Sequence, residues 1–114
     1  MFTIYHNPRC KKSRAGLQYL QSKTGDITVV EYLKNPLTEE KLKELLKKLG
    51  KKPFEMIRTQ EEVYKKNYKG KTLTDDQWVK VMVENPKLIK RPIVEKGDKA
   101  VWADPPEELE VFFK

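Results

Sequence analysis

A single cysteine and a single histidine in 114 residues remove most of the chemistry that small domains build from these side chains. One Cys cannot close an internal disulfide, and with one His beside it a four-ligand zinc site cannot be completed. A disulfide scaffold, a zinc finger and a dithiol oxidoreductase are therefore excluded, and no metal centre is expected. Five Gly and seven Pro are too few for a collagenous or low-complexity chain. No apolar stretch approaches the ~18 residues a membrane span requires. The segment Met1-Phe2-Thr3-Ile4-Tyr5 has no basic stretch ahead of an apolar run, so no signal peptide is expected and the cytoplasm is the predicted location. What the chain has in quantity is charge: 36% charged residues, 24 Lys and Arg against 17 Asp and Glu, net +7. A basic balance raises nucleic acid as a partner. The lysines nevertheless interleave with acids: Lys41, Lys43, Glu44, Lys47 and Lys48 alternate with Leu42, Leu45, Leu46 and Leu49. That is the solvated side of an amphipathic helix, and no specific nucleic-acid binding is expected.

Val, Ile, Leu and Phe make up about a quarter of the chain, enough for one core and one domain, 1–114. Phe2-Thr3-Ile4-Tyr5 has the β-branched and aromatic content of a short strand. His6-Asn7-Pro8 reads as a turn, and Ala15, Leu17, Tyr19 and Leu20 suit a helix over 11–23. Ile27 to Tyr32 reads as a buried parallel strand, completing a βαβ unit. Asn35-Pro36 then breaks the chain. Thr38 is the expected cap of a helix ending at Gly50, and a short helical stretch follows over about 53–66. Thr74-Asp75-Asp76-Gln77 is a capping box that opens a helix ending before Pro86. Gly97-Asp98 between Ile93-Val94-Glu95 and Lys99-Ala100-Val101-Trp102 signals a hairpin, and Pro105 opens a last helix. The order βαβ, a helical insert over about 38–86, then ββα predicts an α/β, thioredoxin-like fold: a mixed sheet with helices on both faces.

Cys10 falls between the first strand and the first helix. A helix N-terminus, with its unpaired N–H groups and positive dipole end, favours thiolate over thiol, and Arg9, Lys11 and Lys12 add positive charge. Ser13 stands where a second Cys of a C-x-x-C pair would be, one turn on and within reach of the sulfur. Any disulfide chemistry must then be completed by a thiol from outside. Gly16 occupies the position where a C-x5-R phosphate cradle needs Arg. His6, four residues upstream, is placed either to bond backbone at the strand end or to tune Cys10 by charge or hydrogen bond.

His6-Asn7-Pro8-Arg9-Cys10, Tyr32-Leu33-Lys34-Asn35-Pro36, Thr74-Asp75-Asp76-Gln77 and Arg91-Pro92-Ile93-Val94 together resemble the glutaredoxin-coupled arsenate reductases, over about residues 2–110. The resemblance implies that Cys10 attacks the arsenic of arsenate, that His6 helps keep it ionised and that Ser13 belongs to the active loop. It implies that Arg58 and Arg91 hold the oxyanion and that Pro92 follows a cis peptide bond facing the cysteine. It also implies a monomer with no bound cofactor, reduced by glutathione and glutaredoxin. A third arginine of the pattern, near the end of the last strand, is Asp104 here. The alternative is an Spx-like regulator that binds RNA polymerase; C-x-x-S in place of C-x-x-C rules out a disulfide switch within the chain.

Overall fold

The structure, a computed structural model, describes Met1–Lys114. It contains two compact units: residues 1–35 with 91–114, and residues 36–90.

The first unit carries the sheet. Strands β1 (Phe2–Tyr5), β2 (Ile27–Val30), β3 (Ile93–Lys96) and β4 (Lys99–Trp102) lie in the order β2-β1-β3-β4. β1 pairs parallel to β2 and antiparallel to β3, and β3 pairs antiparallel to β4. Helix α1 (Lys11–Lys23) makes the crossover from β1 to β2. This βαβ start with a ββ return is the thioredoxin-like arrangement. Gly97, at φ 62°, opens the two-residue turn between β3 and β4. A left-handed first turn residue matches the twist of the strands, which is why Gly stands there.

Two expectations change. The second strand was expected to run buried to Tyr32, but β2 is an edge strand that ends at Val30, with Val29 45% exposed. The Glu31 carbonyl accepts from the N–H groups of Lys34 (3.0 Å) and Asn35 (2.9 Å), which closes a turn that begins at Tyr32. The final helix forms as a 3₁₀ segment, Pro106–Phe112, rather than an α-helix from Pro105. Its Leu109 is buried with Phe2, Ile4, Leu20, Val94 and Ala103 in one apolar cluster. Phe112 meets Phe2 edge-on with ring centroids 5.5 Å apart.

The same 3₁₀ segment is tied to α1 by polar contacts. The Tyr19 hydroxyl donates to Glu110 Oε1 at 2.6 Å, and Lys23 Nζ lies 3.4 Å from the same oxygen. The bond to the Glu110 carboxylate, with burial and the charges of Glu110 and Glu107, pushes the Tyr19 phenol up to about 12. Absorbance titration at 295 nm should therefore include a late component from Tyr19, and Glu110→Gln should bring that component back toward the ordinary value of about 10, read as the difference between the two proteins. A wild-type titration with no late component would mean the contact is absent in solution.

The second unit is helical: α2 (Glu39–Leu49), a 3₁₀ turn (Pro53–Met56), α3 (Glu62–Asn67), α4 (Asp75–Glu84) and a 3₁₀ turn (Pro86–Leu88). Both caps form as the sequence predicts. Thr38 Oγ1 accepts from Lys41 N–H, and Thr74 with Gln77 makes a reciprocal capping box. Gly50, at φ 69°, ends α2. Leu42, Leu45 and Leu46 of α2 are buried, as are Trp78, Val79, Val81 and Met82 of α4. None of the helices in the chain is long and apolar enough to cross a membrane.

Candidate active site

The loop from β1 into α1 is held at both ends by its own side chains. Asn7, almost fully buried, accepts the Arg9 N–H on Oδ1 at 3.0 Å, and its carbonyl accepts the Cys10 N–H at 3.0 Å. Asn is the residue for this turn because its short amide closes a ring onto the backbone two residues on. The Arg14 guanidinium donates to the Pro8 carbonyl at 2.9 Å, and the Arg14 N–H bonds the Cys10 carbonyl at 2.9 Å. Cys10 is thus the N-cap of α1, with extended backbone (φ −93°, ψ 122°).

An N-cap position sets the sulfur over N–H groups that have no acceptor inside the helix. Burial alone pushes the Cys10 thiol up. The Ser13 backbone N–H, the Arg91 guanidinium and the Lys12 backbone N–H favour the ionised sulfur, and the Arg91 charge adds to them; together they outweigh burial and bring the thiol below its ordinary value. Arg9, Lys11 and Lys12, expected to supply the charge, are solvent-exposed; the cation that acts on the sulfur is Arg91, 81 residues away in sequence. Cys10 is half-buried.

Ser13 lies in the first turn of α1, and its hydroxyl is engaged away from the sulfur. Oγ lies 2.7 Å from His6 Nδ1 and accepts the Asn7 N–H at 3.0 Å, so the backbone N–H of Ser13, not its side chain, serves the sulfur. His6 is buried. Burial is the largest influence on it and, with the Arg14 charge, outweighs Glu31, so its pKa lies below 6.5 and the ring is neutral at pH 7. A neutral ring bonded to Ser13 braces the loop by hydrogen bonding rather than stabilising thiolate by charge.

Opposite the loop, the Arg91–Pro92 peptide bond is cis. The Arg91 carbonyl accepts from Trp102 Nε1 at 3.3 Å, and the Pro92 carbonyl accepts the Ala103 N–H at 2.9 Å. α1 meets this segment through Gly16, where a Cβ would fall 2.5 Å from Pro92 Cγ and 3.4 Å from the Ala103 carbonyl oxygen. Only glycine permits that approach. Gly16→Ala should cost about 1–3 kcal/mol in chemical denaturation, as overpacking does. An unchanged midpoint would show that the contact is loose. The signal for this residue, a glycine at mid-helix, was present in the sequence.

Asp104 follows β4 and pairs with Lys12, with Nζ and Oδ2 3.2 Å apart. Arg58 lies in the second unit. Its N–H donates to the Leu88 carbonyl at 2.7 Å and its guanidinium is 3.4 Å from Glu61 Oε2. The structure therefore brings Cys10, Ser13, Arg91 and Pro92 together in the first unit, with His6 behind Ser13. No cluster of His, Cys, Asp and Glu side chains is arranged to hold a metal ion.

The chain is similar to known proteins. Residues 5–112 match the ArsC family. The chain is 40% identical over 108 residues to an arsenate reductase of Haemophilus influenzae, covering 93% of each chain. It is 42% identical over 108 residues to YfgD, an uncharacterised protein of Escherichia coli K12, covering 93% of this chain and 91% of that one. The structure of an arsenate reductase from Vibrio cholerae superposes with a TM-score of 0.89 at 40% identity, covering 94% of this chain and 92% of the other.

Proposed function

The chain belongs to the ArsC family, and from that membership we propose that it is an arsenate reductase-type enzyme in which the Cys10 thiolate attacks arsenate or a related oxyanion. The observation that carries this reading is the position of Cys10, the half-buried N-cap of α1, where the helix start and the Arg91 guanidinium favour the thiolate.

The same donors suit the reaction. A tetrahedral oxyanion entering at Cys10 meets Arg91, whose planar fork binds two oxygens and offsets the charge of the oxygen that leaves. Arg58 is assigned a part in oxyanion binding by family resemblance alone. Thiolate attack on arsenic(V) forms a sulfur–arsenic bond and releases one oxygen as water after protonation. Reduction to arsenic(III) needs two electrons. They come from two thiols that end as one disulfide, and a chain with one Cys must take at least one of those thiols from outside. Glutathione and glutaredoxin are the proposed external donors.

The test is a coupled assay with arsenate, glutathione and glutaredoxin, run beside a pH series of Cys10 alkylation. We expect oxidation of glutathione that depends on arsenate and on this protein. Alkylation should reach half its maximum rate below the ordinary thiol value of about 8.5. The sign follows from the site: the groups around Cys10 favour the ionised form, so the reactive fraction at neutral pH exceeds that of an ordinary thiol. A profile centred at or above 8.5 would sink the nucleophile assignment.

A further inference from the structure

More than half of the net charge of the chain sits in one stretch of the second unit. Residues 51–71 hold seven Lys and Arg against three Glu, a net +4 of the chain's +7. The three acids are already engaged. Glu61 lies 3.4 Å from Arg58, Glu62 lies 3.6 Å from Lys66, and Glu55 accepts the Lys52 N–H at 2.7 Å. Lys51, Lys65 and Lys69 are exposed and have no acidic partner. The same stretch carries three aromatic rings that gather over Trp78 of α4. Phe54 and Tyr68 lie 5.2 Å and 6.1 Å from the Trp78 ring, and Phe54 lies 6.2 Å from Tyr64. Trp78 is buried beneath them, Tyr64 and Tyr68 are half-buried, and Phe54 is 43% exposed. Lys71 Nζ stands 5.7 Å over the Tyr68 ring. α3, which contributes Tyr64, buries none of its residues.

A single exposed phenylalanine is ordinary; rings and uncompensated cations in alternation are not. Lys51 and Lys52 precede Phe54, Lys65 and Lys66 follow Tyr64, and Lys69 and Lys71 follow Tyr68. The complementary partner is a polyanion that carries flat groups between its charges. A single nucleic-acid strand has that character, with a base beside each phosphate and both faces of the base open to stacking. A duplex hides those faces. An acidic peptide would answer the lysines but offers few planar groups, and a lipid surface offers phosphates with nothing to stack. The lysines of α2, which alternate with acids and leucines, are a different case and remain a solvated helix face. Stacking tolerates every base, so no sequence preference follows from it.

We propose that Phe54, Tyr64 and Tyr68, with Lys51, Lys65 and Lys69, form a docking surface for single-stranded nucleic acid, whose bases stack on the rings and whose phosphates pair with the lysines. The surface lies wholly within residues 36–90. It uses neither Cys10 nor Arg91, so it stands apart from the proposed reaction and survives if that reaction is disproved.

The experiment titrates the full chain into fluorescein-labelled oligothymidylate of about 15 nucleotides, read by anisotropy. A heparin fragment and poly-glutamate serve as polyanions without bases, and a duplex of the same length as a strand with hidden ones. Wild type should bind the oligothymidylate at about 50 mM salt and lose about 50-fold in affinity by about 200 mM, the dependence of about four phosphate contacts on a single strand. Phe54→Leu keeps apolar bulk over Trp78 and removes the flat ring. It should lower oligothymidylate affinity about tenfold, the worth of one stacked base, and leave heparin affinity unchanged. Lys51→Gln, Lys65→Gln and Lys69→Gln combined should weaken both and lower the logarithmic salt slope by about two. All four positions are exposed, and the heparin affinity of Phe54→Leu is its own control for folding. No binding of oligothymidylate by wild type at about 50 mM salt overturns the proposal. So does an oligothymidylate affinity that Phe54→Leu leaves unchanged. Competition by poly-glutamate or by the duplex equal to that of oligothymidylate also overturns it and assigns the surface to acidic protein segments or to charge alone.

Discussion

Cys10→Ser is expected to lower arsenate turnover to background, while leaving the fold and anion binding largely in place. Removing a nucleophile deletes the step itself rather than a fraction of its stabilisation. A serine hydroxyl at the N-cap of α1 would meet the same donors, but its pKa lies far too high for N–H bonds and one guanidinium to ionise it at neutral pH. Serine is also a favoured N-cap, so the helix should keep or slightly gain stability. The contrasting variant is Arg91→Ala. It removes a side chain that favours the ionised sulfur and carries the nearest acting charge, so the thiol should titrate higher and oxyanion affinity should fall about 10- to 100-fold, the cost of a charged hydrogen bond. Turnover from the coupled assay and anion titration by NMR separate the two. Residual turnover in Cys10→Ser within tenfold of wild type would mean that chemistry does not run through this sulfur.

How much of this was open to sequence reading depended on whether the cause was local. Thr38, Thr74 with Gln77, Gly50 and Gly97 each act within a few residues of themselves, and each sits in the structure where its chemistry put it. Cys10 as an N-cap followed from the same kind of reasoning. β2 was misjudged because a run of apolar, β-branched residues looks alike in a central and an edge strand; only the pairing order tells them apart. The last helix was misjudged because Leu109 and Phe112, three apart, suit a 3₁₀ turn as well as an α-turn.

The site was legible in its residue types and less so in their roles. Lys11 and Lys12 neighbour Cys10 in sequence, yet helix geometry throws their side chains outward, and the charge on the sulfur arrives from Arg91 through the sheet. Ser13 is one turn from Cys10, but its hydroxyl is already engaged by His6 and Asn7. Which of two available partners a polar group takes is decided by tertiary contacts, and spacing alone does not carry that information. Asp104 is the sharpest example. Its sequence position marks a missing cation, whereas its partner, Lys12, emerges only from the fold.

Asp104→Arg is accordingly expected to raise arsenate reduction. Wild type has a carboxylate where the family pattern has a guanidinium, so its turnover of arsenate should be weak. The substitution changes the local charge by two units and adds a bidentate donor for an oxyanion. It also unpairs Lys12, whose ammonium is then repelled by the new guanidinium and left to bind whatever anion sits at Cys10. Both effects act on the bound anion, so the gain should fall mainly on KM for arsenate, about tenfold, with a smaller change in kcat. Steady-state kinetics with arsenate at saturating glutathione and glutaredoxin reads the effect. Strong wild-type turnover that falls on substitution would show that no third arginine is needed here and that Asp104 serves the oxyanion step itself.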